Sequence, residues 1–260
     1  MSENPPLLKP NSELDRTAVE KVYKNRDYAL GMKNFFPYLQ KLEDLDLIPQ
    51  TIGYREDEDG LHVFMERVNG FDLANIPPTH EDYKFSVDLA KKAASLCQDF
   101  FVAGYHHVDL HSNNIMYDLG RGKCVAVDLD SIGLNKNHEI PLKTYVEEYA
   151  ELMADIYLGD MPTLIAEKML QKGELLGHMG EEWKEFKDTV GMYNNPNQID
   201  IRDLIGEDLP RIALLLMKIK GVESKIHPAI KAFILRGLNP ATCPQNFDQI
   251  LRLDSQKDNM

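Results

Sequence analysis

Strand-like and helix-like periodicity separate along this chain, and that separation limits what it can fold into. Residues 17–24 (TAVEKVYK) predict a short strand, with Val19, Lys21 and Tyr23 on one face and Ala18, Glu20 and Val22 on the other. Thr51–Arg55 and residues 61–68 (LHVFMERV) predict a hairpin around the acidic turn 56–60, which ends in Gly60. Between them, residues 27–47 carry helical signals. Leu39, Leu42 and Leu45 recur three apart, and Pro37 is expected to bend or bound the element. Residues 80–104 predict a helix from the spacing of Phe85, Leu89, Ala93, Leu96 and Phe100, with Gly104 as its stop. Short strands follow at 115–117 and 124–128, separated by the turn DLGRGK. From about residue 145 the pattern is helical, over 145–158, 163–176, 181–189, 209–220 and 227–238. Strands first and helices last predict an α+β chain. The division is a β-rich unit over 1–72 and a larger helical unit over 73–260, joined through the turn-rich NGFDLANIPP.

Composition narrows the function classes. The chain carries 29 Lys+Arg against 42 Asp+Glu, a net charge of −13, which argues against a nucleic-acid coat or a binder of anionic membranes. Apolar residues at 43% suffice for a packed core. Cys97, Cys124 and Cys243 are too scattered for a disulfide framework or a zinc cluster and read as buried thiols of a reducing compartment. The first residues lack a basic region followed by an apolar run, so no secretory signal is expected. No apolar stretch reaches membrane-spanning length, and there is no internal repeat.

The chemistry concentrates in Tyr105–Gly133. Asp109 is followed five residues later by Asn114, and Asp128 closes the next apolar strand. Two carboxylates and an amide in that order suit phosphoryl transfer. One carboxylate orients and deprotonates a hydroxyl, while the amide oxygen and the second carboxylate are hard ligands for Mg²⁺. The two short strands are expected to bring Asn114 and Asp128 together across a hairpin mouth.

The segment His107-Val108-Asp109-Leu110-His111-Ser112-Asn113-Asn114, followed by Asp128-Leu129-Asp130, resembles the protein-kinase superfamily, whose catalytic loop has the same Asp-to-Asn spacing. The resemblance covers roughly residues 15–253. It implies a two-lobed fold with a reduced β-rich N-lobe and a larger helical C-lobe. It also implies ATP and Mg²⁺ (or Mn²⁺) as cofactors, Asp109 as catalytic base, and Asn114 and Asp128 as metal ligands. VFMERVNGFDL resembles the fifth strand and hinge, which places Met65 as gatekeeper and the backbone of Glu66 and Val68 toward adenine. AVEK resembles the third-strand V-A-I-K and makes Lys21 the phosphate lysine, with Lys24 as the competing choice. Residues 227–251 resemble the family's last two helices.

The departures from the family carry information too. No glycine precedes Gly31, so the phosphate-covering loop must be built differently, with Pro10–Asp15 as the nearest backbone. No glutamate occupies the helix-C position; Asn34 and Gln40 are the substitutes on offer. His111 stands where serine/threonine kinases carry lysine and either contacts the γ-phosphate or fills that space. A D-L-H loop is similar to small-molecule kinases such as the aminoglycoside and choline phosphotransferases. The short segment after Asp128 is similar to the effector kinases that bacteria inject into host cells. The acceptor is therefore a hydroxyl on a protein or on a small molecule or lipid head group, with protein preferred. A non-catalytic pseudokinase module is the competing class. The missing lysine–glutamate pair also raises an activating partner. The expected location is cytoplasmic, the host cytoplasm for an injected effector. His107 is expected to brace the loop by hydrogen bonds to backbone carbonyls, His106 to be incidental, and Asp130 to be a solvated acid rather than a second metal ligand.

Overall fold

The computed structural model describes residues 18–158 and 208–254. Among them the chain is α+β, with three small antiparallel sheets and seven α-helices. β1 (Ala18–Tyr23) leads into α1 (Arg26–Asp44), and β2 (Thr51–Asp57) and β3 (Gly60–Glu66) form the expected hairpin. These strands make one sheet in the order β1-β3-β2. Gly60 is required at the hairpin turn, because its φ is +135° and a Cβ there would lie 2.4 Å from the Tyr23 carbonyl oxygen. The two-faced pattern expected of β1 is only partly realised. Ala18 and Tyr23 are buried, but Val19 and Val22 are exposed. β1 lies at the sheet edge, where side chains have neighbours on one side only.

α1 begins at Asn25, whose Oδ1 accepts the Asp27 N–H at 2.8 Å. The helix runs through Pro37 and continues to Asp44, so proline does not bound it. Met32, Phe36, Leu39 and Leu42 form a buried face on both sides of the proline. Burial worth roughly 1.5–3 kcal/mol per side chain outweighs a helix-interior proline at roughly 3 kcal/mol.

The second sheet has the order β4-β6-β7, from β4 (Gly70–Asp72), β6 (Ile115–Asp118) and β7 (Lys123–Ala126). The third pairs β5 (Tyr105–His107) with β8 (Ile132–Leu134). The helix predicted over 80–104 divides into α2 (Glu81–Lys84) and α3 (Val87–Ala103). The cause is Ser86, whose Oγ accepts the Leu89 N–H at 3.0 Å and starts a new helix. Gly104 ends α3 in the left-handed conformation at φ 82°. α4 (Leu142–Leu158), α5 (Asp208–Ile219), α6 (Pro228–Gly237) and α7 (Asp248–Leu251) follow. The helices predicted over 163–176 and 181–189, and the Pro10–Asp15 segment, lie outside the described residues.

One packing centre is Tyr149 on α4. It is fully buried, edge-on to Phe233 and Phe247, and its hydroxyl donates to the Ala90 carbonyl at 3.1 Å. α1 and the segment after it add links between the first sheet and the rest, beside those of Lys21 and Glu66. The Tyr105 hydroxyl donates to the Tyr38 carbonyl at 3.2 Å, and the Ala126 N–H donates to the Leu47 carbonyl at 2.9 Å. The two bonds fix α1 and the segment after it against β5 and β7, which frame the candidate site. Among the described residues no helix is long and apolar enough to cross a membrane.

Candidate active site

The pairing of β5 with β8 sets His107 opposite Ile132, and the Val108 N–H then donates to the Ser131 carbonyl at 2.8 Å. The loop after β5 is thereby held beside Asp128–Ser131. The β6–β7 hairpin supplies the other closure. Ile115 pairs with Ala126, and the Val127 N–H donates to the Asn114 carbonyl at 3.0 Å. Asn114 and Asp128 thus flank the open end of one hairpin, as the spacing predicts.

Within the loop, the Asn114 amide donates to the Asp109 carbonyl at 3.0 Å and to its carboxylate at 3.3 Å. The amide oxygen is left as the remaining acceptor. His111 approaches the same carboxylate, with Nε2 at 3.5 Å from Asp109 Oδ2, while its Nδ1 accepts the Asn113 N–H at 3.3 Å. Asp109 itself is 57% exposed and open to an incoming hydroxyl. Its floor is built by Ser112, whose N–H donates to Asp155 on α4 at 3.0 Å and whose carbonyl accepts from Leu73 and Ala74. Asp155 carries no sequence signal, since it is one acid in a helix with several.

Lys21 is the lysine that reaches the site, and Lys24 is exposed. The Lys21 ammonium bonds to both Asp128 and Asp130. Burial alone would lower its pKa, but those two bonds outweigh burial and hold it above the usual lysine value. Asp128 shows the converse. Burial would raise it, yet hydrogen bonds from the Lys21 ammonium and from the Ser131 hydroxyl at 2.8 Å hold it at about 2. Asp130 is exposed, as expected of a solvated acid, and is in addition a partner of Lys21. Neither Asn34 nor Gln40 replaces a helix-C glutamate, because the partners of Lys21 are these two aspartates and Gln40 donates to Asp44 at 2.8 Å. Tyr23 adjoins the group unforeseen: the Lys21 ammonium lies 5.5 Å from its ring centre, and burial, followed by the charges of Asp130 and Asp128, raises its phenol. An apolar cavity of about 370 Å³ opens beyond Asp130, walled by Tyr28, Met32 and Phe35 of α1 and by Leu129 and Ile132.

The predicted hinge is partly committed elsewhere. Met65 and Val68 are buried. The Glu66 N–H donates to the Gln50 carbonyl at 2.9 Å, and its carboxylate pairs with Arg121, so neither group is open to a base.

Two histidines differ from expectation. His106 is not incidental, since its Nε2 meets the Glu148 carboxylate at 2.6 Å and ties β5 to α4. His107 makes no carbonyl bonds: both ring nitrogens are buried without a partner among the described residues, and the ring stands edge-on to Phe100 at 6.2 Å. Burial drives its pKa from 6.5 to about 4, against the opposing pull of Asp128 and Asp109. Between those two values the unfolded chain binds a proton that the folded chain does not. Stability is therefore full above about pH 6.5 and is lost as pH falls toward 4. Urea unfolding across this window should show the native chain losing up to about 3 kcal/mol more than His107→Leu.

All three cysteines are buried free thiols. Burial pushes Cys243 up to about 11 and Cys124 up to about 12, outside the range of a nucleophile at neutral pH.

The donor set tests the implied metal. Among the described residues no three His, Cys, Asp or Glu side chains form a metal cage. A carboxylate held ionised, a second one beside it and an amide oxygen are instead what Mg²⁺ uses when it keeps waters and phosphates as its other ligands. The residues fit that ion. No protein-family model matches the chain, and a search of curated proteins finds no similar sequence.

Proposed function

We propose that the chain is an ATP- and Mg²⁺-dependent phosphotransferase of protein-kinase-like, two-lobed architecture, moving the γ-phosphoryl group to a hydroxyl, with a protein as the preferred acceptor. The observation that carries the reading is convergence. Lys21 lies 107 residues from Asp128, yet the two bond directly, beside a loop that presents Asp109 and Asn114. Two further features support it. β1 and β3, which resemble the family's third and fifth strands, lie side by side, and a helix, α1, follows β1 directly.

In this reading Asp109 accepts the hydroxyl proton as the oxygen attacks, and the Asn114 amide holds Asp109 in place. Lys21 steadies the α- and β-phosphates after exchanging carboxylate partners for phosphate oxygens. Mg²⁺ held by Asn114 and Asp128 would neutralise phosphate charge, which an acidic protein requires. The double engagement of Lys21 by Asp128 and Asp130 favours a second reading, a non-catalytic pseudokinase in which this contact is structural.

Differential scanning fluorimetry and radiolabelled ATP separate the two. With Mg²⁺ present, ATP at 100 times its Kd should stabilise the chain by about 2.7 kcal/mol. Label should pass to an acceptor, and intact mass should identify a phosphoryl rather than a nucleotidyl addition. Stabilisation without transfer to any protein, small-molecule or lipid acceptor selects the pseudokinase. No magnesium-dependent stabilisation removes the enzyme reading.

A further inference from the structure

Two lysines meet one aromatic ring on the helical side of the molecule, and a third lies within electrostatic reach of one of them. The Lys84 ammonium lies 5.9 Å and the Lys225 ammonium 5.3 Å from the centre of Phe85. Phe85 is itself stacked on the buried Tyr157, with centres 5.7 Å apart and planes 8° from parallel. Lys220, just past the end of α5, adds a third charge within electrostatic reach of Lys84.

The arrangement is electrostatically uncomfortable. Burial, and after it the charge of Lys84, pushes Lys220 down to about 8. Burial also lowers Lys84; Glu81 and Asp155 pull the other way, and Lys225 adds to the lowering. Other lysines in these helices find carboxylates, Lys92 with Asp88 at 2.6 Å and Lys231 with Glu223 at 2.8 Å. Among the described residues, Lys84, Lys220 and Lys225 form no such pair. In a chain of net charge −13, partners of the needed sign are plentiful. Like charges held this close cost stability, only partly offset at Lys84 by Glu81 and Asp155, and such clusters are candidates for ligand binding.

The cluster also has a place next to the candidate active site. Lys84 lines a cavity of about 190 Å³ with Glu81 and the apolar Leu73, Ala74, Ile76 and Pro78. Leu73 and Ala74 donate their N–H groups to the Ser112 carbonyl at 3.1 and 3.2 Å, and Ser112 belongs to the loop that carries Asp109 and Asn114. Asp155, which holds the Ser112 N–H, is one of the two acids that Lys84 senses.

We propose that Lys84, Lys220 and Lys225 form an oxyanion site that takes a phosphate monoester carried by the acceptor and so aligns the acceptor with Asp109. Three ammonium groups match a dianion, and lysine binds phosphate as a point charge without the planar geometry arginine demands. The stacked Phe85 holds two of the three in place by cation–π contact. The site itself does not depend on the phosphotransferase reading; its role in presenting an acceptor rests on that reading.

Isothermal titration of the full chain, with neither nucleotide nor divalent metal, tests the site. The probes are a phosphoserine peptide and glycerol 3-phosphate, with the unphosphorylated peptide and glycerol as controls at matched ionic strength. At least one phosphate monoester should bind saturably while the controls do not, and the tighter of the two names the carrier as protein or small molecule. Lys84→Met and Lys220→Met, which keep an apolar stem of similar length, should each weaken binding about tenfold, and Lys84→Arg should retain it. Lys225→Met changes an exposed residue and should weaken binding without a change in melting temperature. Absence of saturable binding by both probes, or unchanged affinity in all three methionine variants, overturns the proposal. Asp109→Asn should bind both probes as the native chain does. Absence of transfer by the native chain in every assay, with its phosphate binding intact, would defeat the phosphotransferase reading alone. Transfer without phosphate binding would defeat this inference alone.

Discussion

Asp109→Asn should slow phosphoryl transfer by about 10²–10⁴-fold, the usual contribution of a positioned general base. Its fold should be nearly untouched, because Asp109 is 57% exposed and its partners are the neighbouring Asn114 and His111. Exposed contacts of that kind contribute about 1 kcal/mol or less. The variant should also keep its stabilisation by Mg²⁺ and ATP, since Asp109 is no metal ligand in this scheme. Transfer to a hydroxyl acceptor from labelled ATP, alongside a melting curve with and without nucleotide, reads both quantities. A variant that transfers at the native rate would remove Asp109 from the mechanism, whatever its spacing from Asn114.

Asp128→Ala should abolish transfer and, unlike Asp109→Asn, should also abolish the magnesium-dependent stabilisation by ATP. Two separate causes act at this position. The variant loses a hard oxygen ligand on the far side of the hairpin mouth from Asn114, and it releases Lys21 to Asp130 alone. Normal activity at saturating Mg²⁺ would disprove the metal assignment. Acid provides an independent check on the ion pair. The Asp128 carboxyl is held at about 2, below its unfolded value, so the folded chain releases this proton more readily than the unfolded one. Its contribution to stability is fully present above about pH 4 and is lost as pH falls through about 2. Denaturation measured from pH 5 to pH 2 should show this loss, of order 1–2 kcal/mol, in the native chain and not in Asp128→Ala.

The two variants differ because their positions differ. Asp109 is a loop residue presented outward by bonds within its own turn, whereas Asp128 is a junction between β1, the β6–β7 hairpin and the turn that leads into β8. The same contrast explains why His107 departs from its expected role. Its neighbours in sequence suggest a polar brace, but β5 is buried on every side, and the ring is enclosed against Phe100 without a hydrogen-bonding partner among the described residues. A neutral imidazole tolerates that enclosure at neutral pH and resists it in acid.

What could be read from the sequence alone was local. The Asp109-to-Asn114 spacing, the hairpin around Gly60, the helical spacing of Leu89, Ala93, Leu96 and Phe100, and the stop at Gly104 each depend on residues a few positions apart. Backbone geometry and side-chain period at that range leave few alternatives. The break of the predicted 80–104 helix at Ser86 was legible in principle, since serine three residues before a buried leucine is a capping signal. The passage of α1 through Pro37 was not, because it depends on what the helix packs against. Only tertiary structure decided that Lys21 reaches Asp128 and Asp130, that Asp155 holds the loop that carries Asp109, that His106 meets Glu148, and that Lys225 reaches Phe85. Each of those contacts joins segments separated by tens of residues or more. At that range the strength of a charge pair is set by burial and by competing neighbours, and neither is written in the spacing of one stretch of chain.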